Sequence, residues 1–187
     1  YTIAIGAFYG TSPLLALLLA NRFGATEKSV AYFVMYFGGM GVLIRAGLLG
    51  VAVKRFGEAR LARIGLALLS IGLVLLGFAR DYVMLFTAMT LIPVGTAFTF
   101  PPVTALLSRV VPGQERGLHM GVQQTYGGLS RVAFPVVSGW LIDRLGDGAP
   151  YALAGFLVGA TLLNTAPLGG YARPKIRAKP VNQSPKT

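Results

Sequence analysis

Two arginines stand inside long apolar runs, Arg45 in GGMGVLIRAGLLGVAV and Arg131 in GGLSRVAFPVVSGW. A guanidinium stays protonated in proteins and offers a planar fork of donors that matches a carboxylate or phosphate. Placed among apolar residues such a group is costly, and it marks a binding or ion-pairing role. Arg131 lies twelve residues from both His119 and Asp143, so it is poorly placed to extend to a polar boundary. Arg45 lies nine residues from Lys54, roughly 13 Å along a helix, and its side chain has the alternative of reaching the surface. Gln123, Gln124 and Tyr126 precede Arg131 within about two turns and add amide and hydroxyl groups. These five residues are the candidate lining of a substrate cavity. The plain alternative for Gln123, Gln124 and Tyr126 is hydrogen bonding between helices. A second constellation is cationic: Gly50, Lys54, Arg55, Gly57 and Arg60 in GVAVKRFGEAR. It reads as a compact loop that either latches helices together or simply sets topology.

The rest of the composition narrows the chemistry. Of 187 residues 54% are hydrophobic and 12% charged, against about 25% charged in an ordinary soluble domain. Apolar runs of about 20 residues, separated by short charged loops, place the chain in a bilayer. With no cysteine and a single histidine, neither a disulfide nor a metal site is expected, and no cofactor is implied. A net charge of +11 could serve nucleic acid. The cations, however, sit in short loops and a terminal tail, which fits anionic membrane lipid better. No nucleophile–base pair is evident, so an enzyme is not expected.

Six spans must position these residues: Tyr1–Ala20, Val30–Val53, Leu61–Ala79, Tyr82–Leu107, Met120–Ile142 and Tyr151 to about Tyr171. Pro13 should bend the first, Gly6-x-x-x-Gly10 and Gly155-x-x-x-Gly159 should allow close approach, and the nearly bare third should face lipid or apolar helices. On a 3.6-residue period Gly38, Gly41, Arg45 and Ala52 share one face, as do Gln124, Gly128, Arg131 and Ser138. His119 reads as a solvated interfacial side chain. Residues 173–187 form a Pro- and Lys/Arg-rich tail, expected to be disordered.

The spans repeat. Gly38, Gly39, Gly50, Arg55, Gly57 and Glu58 recur 89 positions later as Gly127, Gly128, Gly139, Arg144, Gly146 and Asp147. The chain therefore divides into units of about 1–89 and 90–178, three spans each, followed by the tail from 173. An odd number of spans per unit turns the second copy upside down. Inverted repeats around a polar cavity are an architecture of secondary transporters. Eleven Lys and Arg residues lie in the loops after the second and fourth spans and in the tail, against four on the opposite side. The positive-inside rule then puts both termini in the cytoplasm.

These residues resemble a known family. The stretch from Gly50 to Arg60 is similar to the loop motif Gly-x-x-x-Asp-Arg-x-Gly-Arg-Arg of the major facilitator superfamily, with Lys54 where the motif has Asp. Glu115-Arg116-Gly117-x-x-x-Gly121, then Leu129-Ser130-Arg131 through Pro135 and Gly139-x-x-x-Asp143, resembles the fifth span of that superfamily's C-terminal half, especially in drug-efflux branches. Phe134-Pro135 stands where those branches carry Gly-Pro. The resemblance implies an all-α membrane protein. Residues 1–172 would be a C-terminal six-helix half whose N-terminal partner half is missing from this chain. It further implies a bacterial inner-membrane transporter working by alternating access, with efflux of drug-like compounds coupled to protons or another ion. The alternatives are a symporter importing a small organic anion and a non-transporting membrane scaffold.

Overall fold

A computed structural model describes residues 1–164. The end of the expected sixth span, the end of the second repeat and the tail from 173 to 187 lie outside the described residues. Those described are helical or in short turns, with no strand among them. The order is α1 (Thr2–Thr11), a 3₁₀ turn (Ser12–Leu14), α2 (Leu15–Phe23), α3 (Glu27–Leu43), a π turn (Ile44–Leu48), α4 (Leu49–Phe56), α5 (Glu58–Phe78), α6 (Tyr82–Val110), α7 (Arg116–Leu145) and α8 (Ala149–Asn164). Among the described residues four stretches are long and apolar enough to cross a membrane: Thr2–Phe23, Glu27–Phe56, Glu58–Phe78 and Tyr82–Val110. At 30 residues α7 has the length but is too polar, and the described part of α8 is 16 residues long.

The first two stretches are interrupted for local reasons. Pro13 has no N–H to give to the carbonyl one turn back. Thr11 Oγ1 donates to the Ala7 carbonyl at 2.7 Å and Ser12 Oγ to that of Phe8 at 2.6 Å, and the helix tightens to 3₁₀ geometry there. The π turn at Ile44–Leu48 adds one residue to the second stretch. It breaks the 3.6-residue register on which Gly38, Gly41, Arg45 and Ala52 share a face: Arg45 is exposed, Ala52 buried. In α6, by contrast, Pro93, Pro101 and Pro102 leave the helix continuous, and Thr96 Oγ1 donates to the Pro93 carbonyl at 2.9 Å.

The expected cationic loop is hardly a loop. α4 runs through Phe56, α5 begins at Glu58, and Gly57 alone separates them, with φ 73° and ψ 160°. That backbone region belongs essentially to glycine. Lys54 and Arg55 therefore sit on the last turn of α4 and Glu58 on the first turn of α5, where each charge complements a helix dipole. Gly146 makes the same break after α7, with φ 86° and ψ 173°.

Close packing follows small residues. A Cβ at Gly95 would lie 2.5 Å from the Leu69 nitrogen, so α5 and α6 touch backbone to backbone. Cβ atoms at Gly6 and Gly10 would lie 2.5 and 2.6 Å from the Phe134 side chain, which joins α1 to α7. At Gly155 and Gly159 they would meet Val74 and Ser70, which joins α8 to α5, and Ser70 Oγ donates to the Gly155 carbonyl at 2.8 Å. The third expected span, α5, is thus packed against helices rather than left in lipid. Leu18, Leu69, Leu73, Leu85, Met89 and Val158 build the core. Around it α3 and α4 lie on the periphery, with Tyr32 and Met35 about two-thirds exposed, at 70% and 67%.

Candidate functional site

α7 is amphipathic in three directions. Gly127, Ser130, Ser138 and Leu141 are buried. Leu118, Val122, Leu129, Val132, Val136 and Trp140 form an exposed apolar stripe at helical spacing. Between these faces lie Gln124 and Arg131, both exposed and seven residues apart, hence on one side of the helix. Gln123 turns inward: its Oε1 is sealed from solvent with no hydrogen-bond partner. Tyr126 is 58% exposed and stands about 200° around the helix from Gln124. The structure therefore groups Gln124 with Arg131 and separates Gln123 and Tyr126 from them. Ser138, expected on the Arg131 face, is buried.

The Arg131 guanidinium lies over the ring of Tyr9, with Cζ 4.6 Å from the centroid. A cation over an exposed ring gains about 0.5–1 kcal/mol. An arginine at the centre of a membrane helix costs roughly 2.5–3.5 kcal/mol on insertion scales. The Tyr9 contact is worth less than that cost.

Arg45 is placed differently. From the π turn its two terminal nitrogens donate to the Gly41 carbonyl at 3.3 Å and to Thr96 Oγ1 at 3.4 Å. Both bonds are long for a charged donor. They nevertheless fold Arg45 back onto its own helix and onto α6, rather than out to the membrane surface.

On the side expected to be cytoplasmic, Gly50, Lys54, Arg55 and Arg60 are exposed, and Arg55 lies 5.8 Å from the Phe56 ring. The ion pair there is made by Glu58, whose carboxylate meets Arg109 at the end of α6 at 2.8 Å. Glu58 is 8% exposed and Arg109 70%. At the opposite end Asn21 donates to Asp147 at 3.1 Å, while Arg22 donates to the Gly77 and Ala79 carbonyls at the end of α5. His119 is exposed near Glu115. Among the described residues no three His, Asp or Glu side chains gather as a metal site would require.

Sequence reasoning missed Tyr9, Thr96 and Arg109 as partners. Each contact spans more than 50 positions and depends on which helices touch. The 89-residue offset gave one clue, because it pairs Glu58 with Asp147, and each is bonded to the end of the first stretch of the other unit, Glu58 to Arg109 and Asp147 to Asn21.

The geometry first defines a class: packed apolar helices of membrane-crossing length, with a cation held on an open face. A model of the Major Facilitator Superfamily matches residues 1–187, and the chain belongs to that superfamily of membrane transporters. It is 30% identical over 132 residues to multidrug resistance protein 1 of Bacillus subtilis, covering 70% of this chain and 33% of that one. Monocarboxylate transporter 13 of Bos taurus is 28% identical over 185 residues, 93% of this chain and 42% of its own. Among solved structures, the human organic anion transporter MFSD10 (TETRAN) shares the fold with a TM-score of 0.79 at 20% identity, over 88% of this chain and 38% of that chain. The chain spans between 19% and 42% of the length of the curated relatives it matches.

Proposed function

We propose that the chain is the C-terminal six-helix half of a secondary active transporter that moves a small organic solute by alternating access, in the direction of efflux. Arg131 carries this reading. It is a permanent cation at the middle of α7, on an exposed face beside Tyr9 and in line with Gln124, incompletely offset within the chain. A second half closing over that face would complete a cavity. Similarity to a multidrug resistance protein supports efflux. Carboxylates in this half lie only at helix ends and turns (Glu27, Glu58, Asp81, Glu115, Asp143 and Asp147). A proton relay in mid-membrane would have to come from the other half.

The inverted repeat gains support from the packing. α1 packs on α7 as α3 packs on α6, and α5 on α6 as α8 on α1, which are the pairings a two-fold exchange of units requires. Such an arrangement fits six spans, with both termini in the cytoplasm of a bacterial inner membrane and anionic lipid around the basic ends. The second reading is import of an organic anion, favoured by Arg131 and Arg45 being the mid-span charges.

The test is transport by the full-length protein, normalised to membrane abundance. Arg131→Lys keeps the charge and loses the planar fork, so the apparent KM should rise. Arg131→Gln should lower transport by about tenfold or more, the loss of one charged hydrogen bond. Wild-type rates in both variants would remove Arg131 from the cavity and the proposal with it.

A further inference from the structure

The two glycine breaks settle their charges differently. At the break after α7, Arg144 stands with Asp143 and Asp147. At the matching break after α4 stand Lys54, Arg55 and Arg60, with Glu58 as the one acid. That carboxylate is 8% exposed and committed to Arg109. Lys54, Arg55 and Arg60 are exposed, and among the described residues none of them has a carboxylate within ion-pair distance. Residues 165–187 contain no aspartate or glutamate, so no side chain there can supply one. Open apolar surface lies directly beneath these cations. On α4, Val51 precedes Lys54 and Arg55 by three and four residues, hence on one face, and is 63% exposed. Leu48, a turn deeper, is 50% exposed. On α5, Arg60 and the exposed Ile64 are four residues apart and repeat the order. A soluble anion matches only the charged part of this surface. A phospholipid matches both, with phosphate at the helix ends and acyl chain along the helix.

We propose that the break between α4 and α5 is a binding site for one anionic phospholipid. Lys54 and Arg55 hold its phosphate, Arg60 across Gly57 adds to the attraction, and an acyl chain lies along Val51 and Leu48. The matching break at Gly146 is the internal control, because its aspartates outnumber its arginine. The site sharpens the general attraction of anionic lipid to the basic ends into particular residues. It rests on the chain being a membrane protein and draws nothing from Arg131, so failure of the transport reading leaves it standing.

The experiment places the full-length protein in phosphatidylcholine nanodiscs with a trace of phosphatidylglycerol that carries a diazirine near the glycerol end of one acyl chain. After illumination, labelled peptides are mapped by mass spectrometry. Labelling should concentrate on residues 48–64, and unlabelled phosphatidylglycerol should displace it while soluble glycerol phosphate does not. Arg55→Gln should raise the half-displacing mole fraction about fivefold, the loss of one cation near the surface. Arg144→Gln should leave it unchanged. A further arm needs no variant: raising NaCl from about 0.1 to about 1 M shortens the Debye length from about 10 to about 3 Å and should weaken labelling of the unaltered protein severalfold. Labelling spread evenly over the helix ends, residues 143–147 included, or not displaced by phosphatidylglycerol, would show ordinary lipid contact and overturn the proposal. Displacement by glycerol phosphate would overturn it in favour of a soluble anion. Labelling indifferent to salt and to Arg55→Gln would remove the charge from its basis. Absence of labelling at 48–64 would also overturn it, assigning these cations to carboxylates of the other half.

Discussion

The second apolar stretch and α7 occupy matching positions: shifted by 89, Glu27 and Phe56 fall on Arg116 and Leu145, the ends of α7. Their arginines are not counterparts. Arg45 corresponds to Phe134, and Arg131 to Val42. Each stretch packs on the first helix of the other unit, and the two crossings are built differently. Phe134 fills the Gly6–Gly10 hollow of α1, apolar and in close contact. Arg45 reaches α6 at Thr96 through a 3.4 Å hydrogen bond, from a π turn on a peripheral stretch. One crossing is fixed by close packing. The other joins two hydrogen bonds, Arg45 to Thr96 and Tyr36 to Thr90, to aromatic packing of Phe33 and Tyr36 on Phe86, from a stretch that is mostly exposed, and sparse burial of that kind marks elements that can move. A bundle so divided has a closely packed side, α1 with α7, and a more loosely packed side, α3–α4 on α6.

The largest effect should come from overfilling the closely packed crossing. Gly10→Val places new atoms against the Phe134 backbone, whose carbon would lie 3.1 Å from the first added one. Overpacking of this kind costs about 1–3 kcal/mol, and backbone that cannot step aside puts this case near the upper end. Gly38→Val on α3, where nothing lies within 4 Å, should cost little or nothing. Thermal unfolding of the two variants in detergent checks the contrast, and equal losses would abolish it.

Next come the helix breaks that make the two stretches alike. Gly57→Ala and Gly146→Ala each force a side chain into backbone at φ 73° or 86°, a strain of order 1–3 kcal/mol. The two unfolding temperatures should fall together. A loss at one site alone would mean that the repeat does not extend to these turns.

Those breaks also show how much was legible beforehand. A glycine after a run of cations, repeated 89 positions on, located both. Sequence placed a loop at Lys54–Arg60, because charge and glycine read as loop. It did not anticipate that one glycine in a backbone region open only to glycine suffices to separate two helices. The helices themselves, the Gly-x-x-x-Gly contacts and the family were legible, because bilayer thickness and close packing write directly into composition. The site was legible only in part. Arg131 and Gln124 share a face by simple periodicity, but the π turn defeats periodicity around Arg45. Nothing in the order of residues says that Tyr9 meets Arg131 or that Glu58 meets Arg109. Those facts depend on how helices far apart in sequence pack together.

A smaller effect is expected at Arg45. Its donors already meet neutral acceptors inside the chain, and Arg45→Gln retains an amide that can serve Thr96 or the Gly41 carbonyl. Transport by the full-length protein should stay within about threefold of wild type, since Arg45→Gln keeps one donor and the two bonds it replaces, at 3.3 and 3.4 Å, are long for a charged donor. A loss as large as that of Arg131→Gln would give both arginines the same role and end the distinction between the crossings.

The smallest effect tests why Arg131 differs. If its charge is only partly offset within the chain, its coupling to Tyr9 must be modest. A double-mutant cycle of Tyr9→Leu with Arg131→Gln isolates that coupling. Leucine keeps apolar bulk at position 9 and removes the π face, whereas Tyr9→Phe keeps the face and should leave the guanidinium held as before. Coupling of about 0.5–1 kcal/mol in unfolding free energy is expected from the 4.6 Å approach. No coupling would mean that the guanidinium is not held at the ring. Coupling near 3 kcal/mol would cover the whole cost of an arginine in mid-membrane. Arg131 would then be as self-contained as Arg45, with no remaining pull on an anion from outside the chain.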